Sequence, residues 1–145
     1  MATIYHQVGI KGSTDSVFSA LTTIEGLAQW WTSDTRGDPG SGGNLDFYFN
    51  EFKMSMEVLT VQNNARVHWR CTAGDTQWVD TEIEFVLRDD GKQILVDFSH
   101  GGWAEASDLF RHCSTKWAVF LLSLKNLVET GDGQAFPDDL HINYF

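Results

Sequence analysis

From about Ala104 to Thr130 the apolar residues recur at helical spacing, and this stretch constrains the fold more than any other. Ala106, Phe110, Cys113, Trp117, Leu121, Leu124 and Val128 fall in one stripe, widened on one flank by Leu109, Phe120 and Leu127. At 1.5 Å per residue such a helix is about 40 Å long, enough to cross a whole sheet. A stripe this broad is not stable in water and demands an apolar partner surface of similar length. Glu105 and Asp108 would sit in the first turn, where the helix dipole favours them, and Gly131 supplies the stop.

The partner surface precedes it. Between Asn44 and His100 the period changes to two, and the sequence reads as five strands. Leu45, Phe47 and Phe49 share one face. Phe52, Met54, Met56 and Val58 alternate with Lys53, Ser55 and Glu57, after which Leu59 and Val61 take up the apolar phase, as a bulge causes. Val67, Trp69 and Cys71 oppose Arg66, His68 and Arg70. Val79, Thr81, Ile83, Phe85 and Leu87 form the next inward row, and Ile94, Val96, Phe98 and His100 the last. Asn63-Asn64 and Asp90-Gly91 are tight turns, so these neighbours pair antiparallel. Gly101-Gly102 is expected to end the sheet.

Ahead of the sheet, residues 3–10 alternate weakly and suit a partly exposed first strand. Ser13 or Thr14 then caps a short helix, a second runs from Thr23 to Trp31, and Thr32 to Gly43 reads as a turn-rich loop. The expected fold is α+β: an antiparallel sheet of about six strands around a long C-terminal helix, with two short helices after the first strand. Residues 1–145 contain no linker-like stretch, so one domain is expected.

Composition narrows the partners. Ten Lys and Arg against twenty Asp and Glu give a net charge of -10, which repels phosphate backbones and anionic lipid, so nucleic acid is not an expected partner. The longest apolar run, Trp117 to Leu122, is far short of the ~20 residues that span a bilayer, and the first twelve residues carry no basic leader. A cytoplasmic protein without membrane insertion is the expectation. Cys71 and Cys113 both face inward by phase, which allows a disulfide between them but better suits buried free thiols in a reducing compartment.

Several segments resemble a known family. They are Gly26-Leu27-Ala28-Gln29-Trp30-Trp31-Thr32, then Gly42-Gly43, then Gly102-Trp103. Further on come Phe110-Arg111-His112-Cys113-Ser114-Thr115-Lys116-Trp117, the run Leu121 to Lys125, Gly131, and Phe136-Pro137-Asp138-Asp139. With the order of elements, they resemble the Bet v 1-like (START-like, SRPBCC) superfamily, and within it the family related to the C-terminal domain of the activator of Hsp90 ATPase. The resemblance implies a helix-grip fold, often hollow between helix and sheet. It also implies a spread of roles, from lipid carriage and polyketide cyclisation to co-chaperone activity.

If the space is hollow, its wall is drawn from Phe47, Phe49, Met54, Met56, Trp69, Ile83, Phe85, Phe98, Phe110, Cys113 and Trp117. The same residues also suit a solid core, and period alone does not separate the two. His100 ends an inward row and is either a polar contact or base at a pocket mouth, or a structural histidine. His6 shares that phase, whereas His68 and His112 face outward. No histidines have metal-ligand spacing, so neither metal nor cofactor is implied.

Asp46, Glu57, Asp80, Glu82, Glu84 and Asp97 all point away from the helix, leaving Thr81, Ser114, the two cysteines and the inward histidines as a sparse catalytic set. Of Trp30 and Trp31, one is expected in the core and one partly exposed. Trp78 and Trp103 are placed beside turns at opposite ends of the sheet, where an exposed indole would mark a protein contact. The stretch around Asp138-Asp139 reads as a solvated tail.

Three functions follow as expectations. The first is non-catalytic binding of a small apolar ligand, oriented by His100, Ser114 or Thr81. The second is a module that contacts a chaperone or other protein. The third is a cyclase-like enzyme, which requires His100 inside a cavity beside a second polar group.

Overall fold

The computed structural model describes residues 1–143. Its elements are β1 (Ala2–Ile10), α1 (Thr14–Thr22), α2 (Ile24–Trp30), β2 (Asp34–Gly37), β3 (Asn44–Phe49), β4 (Phe52–Gln62), β5 (Arg66–Ala73), β6 (Glu82–Asp89), β7 (Ile94–Trp103) and α3 (Asp108–Thr130). The strands form one antiparallel sheet in the order β1-β7-β6-β5-β4-β3-β2. All but one junction join sequence neighbours; β1 alone crosses over, to lie beside β7. The helix-grip architecture expected from the alternation and the long amphipathic helix is therefore present, with α1 and α2 between β1 and β2.

The structure differs from the sequence reading in several places. The sheet has seven strands rather than about six, because β2 lies inside the stretch read as a loop. Only Thr35 of that strand is buried, so it carries no alternation to read. Gly37 closes it with a φ of 116°, and a Cβ there would stand 2.2 Å from the Asn44 carbonyl oxygen, so no other residue fits.

β7 does not stop at Gly101-Gly102 but runs through both to Trp103, which pairs with Ala2. Gly102, at a φ of 89°, lets the strand bend while still paired. In consequence α3 begins four residues later than expected, at Asp108, where Ser107 accepts a hydrogen bond from Phe110 N–H. Finally, β6 begins at Glu82 rather than Val79, and Val79 is exposed in the preceding turn. The β4 irregularity between Val58 and Thr60 is present, but Leu59 points to solvent rather than inward.

The inner stripe of α3, from Cys113 and Trp117 through Phe120 and Leu121 to Leu124, is buried against the sheet, as the stripe required. Its middle is filled by aromatic rings. Trp117 lies 4.6 Å from Phe98 between centroids, and Trp31 lies 5.0 Å from Trp117 and 4.2 Å from Phe47. Trp30 and Trp31 are both buried, at 0% and 2% exposure, where one was expected to be partly exposed. Trp30 Nε1–H donates to the Ala20 carbonyl at 2.8 Å, which ties α2 to α1.

Trp78 and Trp103 are neither exposed nor at opposite ends. Their exposures are 8% and 1%, and their rings lie 6.0 Å apart. Antiparallel pairing sets Glu82 at the start of β6 opposite Gly101 near the end of β7, so both indoles arrive at the same edge.

Candidate functional site

A cavity of about 440 Å³ lies at one end of the helix–sheet interface. The end of α2 contributes Trp31, β3 and β4 contribute Phe49 and Met54, and the first half of α3 contributes Cys113, Trp117 and Phe120. The outer wall is the segment after α3, with Phe136, Asp139 and Ile142. Phe136 is fixed from both sides, its N–H donating to the Trp31 carbonyl at 2.8 Å and its own carbonyl accepting from Ser33 N–H at 3.0 Å. The Gln134 N–H donates to Ser123 Oγ at 2.7 Å, which binds the same segment to α3. The wall is mostly apolar, and burying an apolar molecule there would remove about 25 cal/mol of free energy per Å² taken from water.

The polar groups are gathered on the α3 side. Lys116 Nζ donates to Asp139 Oδ2 and, at 3.0 Å, to the Leu140 carbonyl, and it lies 5.2 Å above the Phe120 ring. Asp139 is 6% exposed, so the residue expected in a solvated tail is instead a buried part of the wall. Among the described residues no donor reaches its Oδ1. A buried acceptor in that condition costs about 1–3 kcal/mol relative to a satisfied one.

His112 also borders the cavity, where period placed it outward. Its Nδ1 accepts from Asn143 Nδ2–H at 2.8 Å. Burial, with the Lys116 charge a smaller contributor, holds its pKa below the ordinary histidine value. Asp75 completes the polar border from the turn before β6.

Of the residues expected to bind ligand, the cavity brings together Phe49, Met54, Cys113 and Trp117. Phe47, Met56, Trp69, Ile83, Phe85 and Phe98 are packed in the core beyond the cavity wall. Phe110 is half-buried, with its ring edge-on to Trp103 at 5.4 Å. Ser114 faces β1, where its carbonyl accepts from His6 Nε2–H at 2.9 Å.

His100 is fully buried and does not line the cavity. Trp117 Nε1, which can only donate, gives its hydrogen to His100 Nδ1 at 3.0 Å. The proton of the neutral ring therefore sits on Nε2 and is donated to Thr81 Oγ1 at 2.8 Å, and Thr81 in turn donates to the Trp78 carbonyl at 2.5 Å. Both ring nitrogens are thus occupied, and burial drives the pKa down to about 3. That arrangement gives a structural histidine with no lone pair to offer a substrate.

Both thiols are free and buried, and burial pushes each up to about 11, far from the thiolate range. Among the described residues no three His, Cys, Asp or Glu side chains cluster as metal ligands, and no helix is long and apolar enough to cross a membrane.

Lys116, Phe120, Phe136 and Asp139 were not named as site residues. Lys116 sits between Cys113, Trp117 and Phe120 on the edge of the helical stripe, a signal that a charged group borders the apolar face. Nothing local in the sequence pairs it with Asp139.

Comparison with known proteins gives a consistent outcome. The family described as Activator of Hsp90 ATPase homolog 1-like protein matches residues 11–129. The Aha1 dimer from Colwellia psychrerythraea is 43% identical, with 92% of this chain and 100% of that chain covered and a TM-score of 0.84. CalU16 from Micromonospora echinospora is 22% identical over 90% of this chain and 75% of its own, with a TM-score of 0.76. A Staphylococcus saprophyticus protein is 15% identical over 91% and 95%, with a TM-score of 0.77. The last two are likenesses of fold alone. No curated protein matches.

Proposed function

The chain belongs to the activator of Hsp90 ATPase homolog 1-like family, and from that premise we propose that it binds a small, largely apolar molecule at the mouth of the helix grip. The observation that carries this reading is the 440 Å³ cavity walled by Trp31, Phe49, Met54, Trp117 and Phe136, a size within the ~300–1,000 Å³ of small-molecule sites. Affinity comes from removing apolar surface from water, and Met54 provides an adaptable wall. The two free thiols suit a cytoplasmic setting.

The test is a fluorescence titration with the neutral probe N-phenyl-1-naphthylamine, paired with thermal unfolding. Saturable binding is expected, with the melting temperature rising by about 5–10 °C at a hundredfold excess over Kd. Cys113→Phe, which projects a ring into the cavity, is expected to reduce probe affinity by at least about tenfold. Absence of saturable binding to the wild-type protein would overturn the reading.

A second reading rests on the 43% identity to a protein solved as the Aha1 dimer: a module that contacts an Hsp90-class chaperone or a second copy of itself. Trp78 and Trp103 cannot supply that contact, since both are buried. Sedimentation velocity and stimulation of a chaperone ATPase test it, and Cys113→Phe should leave both unchanged. A monomer with no effect on the ATPase would end it.

A further inference from the structure

Among the described residues one buried side-chain atom of the cavity lining, Asp139 Oδ1, has no hydrogen-bond partner, and it is an acceptor. Lys116 gives two of its three N–H bonds to the Asp139 carboxylate and the Leu140 carbonyl and holds its ammonium 5.2 Å from the centre of the Phe120 ring. Its charge is already paired with Asp139, so an anionic head group would have to compete with that carboxylate. Asp139 Oδ1, by contrast, has no donor among the described residues, although its side chain is almost wholly buried in the cavity wall. The terminal torsion of an Asp is broad, so a rotation of the carboxylate would bring Oδ1 to a molecule in the cavity while Oδ2 stays beside Lys116.

Charge narrows the choice further. Asp75 borders the same cavity, so its lining carries two carboxylates against one ammonium that is already paired. A cation would have to shed its hydration to enter a mostly apolar chamber. A neutral hydroxyl carries neither penalty and supplies the missing donor.

Resting on the proposed role of the cavity in binding, we infer that its ligand is a neutral apolar alcohol or phenol whose hydroxyl donates to Asp139. A carboxylate-headed lipid is the wrong class for this site. Asp139 then acts as the anchor that orients the molecule, and the aromatic wall supplies the affinity.

The test compares three probes of one shape by calorimetry at neutral pH: 2-naphthol, 2-methylnaphthalene and 2-naphthoate, with 2-naphthylmethylamine as the cationic arm. In the wild-type protein 2-naphthol is expected to bind about tenfold more tightly than 2-methylnaphthalene, despite its lower hydrophobicity, and both more tightly than the two ions. In Asp139→Ala the preference for 2-naphthol should fall to about twofold or less, with 2-methylnaphthalene little changed. Lys116→Met/Asp139→Leu removes the ion pair as a unit and should behave the same way. A measurement on the wild type alone guards against misfolded variants: 2-naphthol, unlike 2-methylnaphthalene, should shift the Asp139 carboxyl carbon resonance.

Equal binding of 2-naphthol and 2-methylnaphthalene, or tightest binding by either ion, overturns the hydroxyl inference while leaving the cavity as a binding site. Failure of all four probes overturns the binding reading and this inference with it.

Discussion

Trp117→Ala is expected to lower stability by about 5 kcal/mol, enough to leave a domain of this size barely folded, because two separate losses coincide at one side chain. The first is volume. Trp117 is buried at the centre of the aromatic cluster, against Phe98, Trp31 and Phe85, and truncating a buried Trp or Phe to Ala costs about 3–5 kcal/mol. The second is the indole N–H. Without it His100 Nδ1 has no donor in a site closed to water, at about 1–3 kcal/mol.

Trp117→Phe separates the two losses, since it keeps most of the ring contact and drops the N–H; its expected cost is about 2 kcal/mol. Urea unfolding of both variants, each repeated in a His100→Leu background, gives the coupling directly. Trp117→Phe should become markedly cheaper once His100 is gone. If its cost is the same in both backgrounds, the hydrogen bond contributes nothing to stability and the chain from Trp117 through His100 to Thr81 is only a contact.

That chain also shows where sequence reasoning reaches and where it stops. The period-two rows and the α3 stripe made the sheet and the long helix legible, because each element buries one whole face and therefore writes its geometry into the sequence. Strand β2 was not legible, since Thr35 is its single buried side chain. The glycines at 101 and 102 were misleading for a physical reason: the same conformational freedom that ends a strand also lets one bend and continue to Trp103.

For the site, phase correctly directed Phe47, Trp69, Phe85 and Phe98 inward, yet inward is a direction and not a volume. Trp30 and Trp31 occupy the space in the middle of the grip, and the cavity lined by Trp31, Met54 and Trp117 lies at one end. Its outer wall depends on Lys116 meeting Asp139, twenty-three residues later in the chain, a contact made by the path of the backbone after Gly131 rather than by any local period. Trp78 beside Trp103 has the same origin, in strand register.

Stability is expected to fall steeply with acid, and His100 is the cause. In the unfolded chain its pKa is near 6.5; in the fold, burial holds it at about 3. Above pH 6.5 the ring is neutral in both states and contributes no pH dependence. Between pH 6.5 and about 3 the unfolded state binds a proton that the folded state refuses, so stability drops by about 1.4 kcal/mol per pH unit, to a total of about 4–5 kcal/mol. The carboxylates held below their ordinary range, such as Asp97 by the hydrogen bond from Arg88, contribute only at the lower end of this window. The upper part, from pH 6.5 to 5, is therefore free of the carboxylates; His112, whose pKa is also held low, adds to it with the same sign, and the difference between wild type and a His100 variant gives the His100 share. Chemical unfolding across that interval should give a positive slope approaching one proton for the wild type and a flatter profile for His100→Leu, which removes the most deeply buried ring. His112 remains in that variant and accounts for the residual slope. A slope unchanged by the substitution would mean that His100 accepts its proton inside the fold, and that the tautomer fixed by Trp117 and Thr81 is not the one the protein uses.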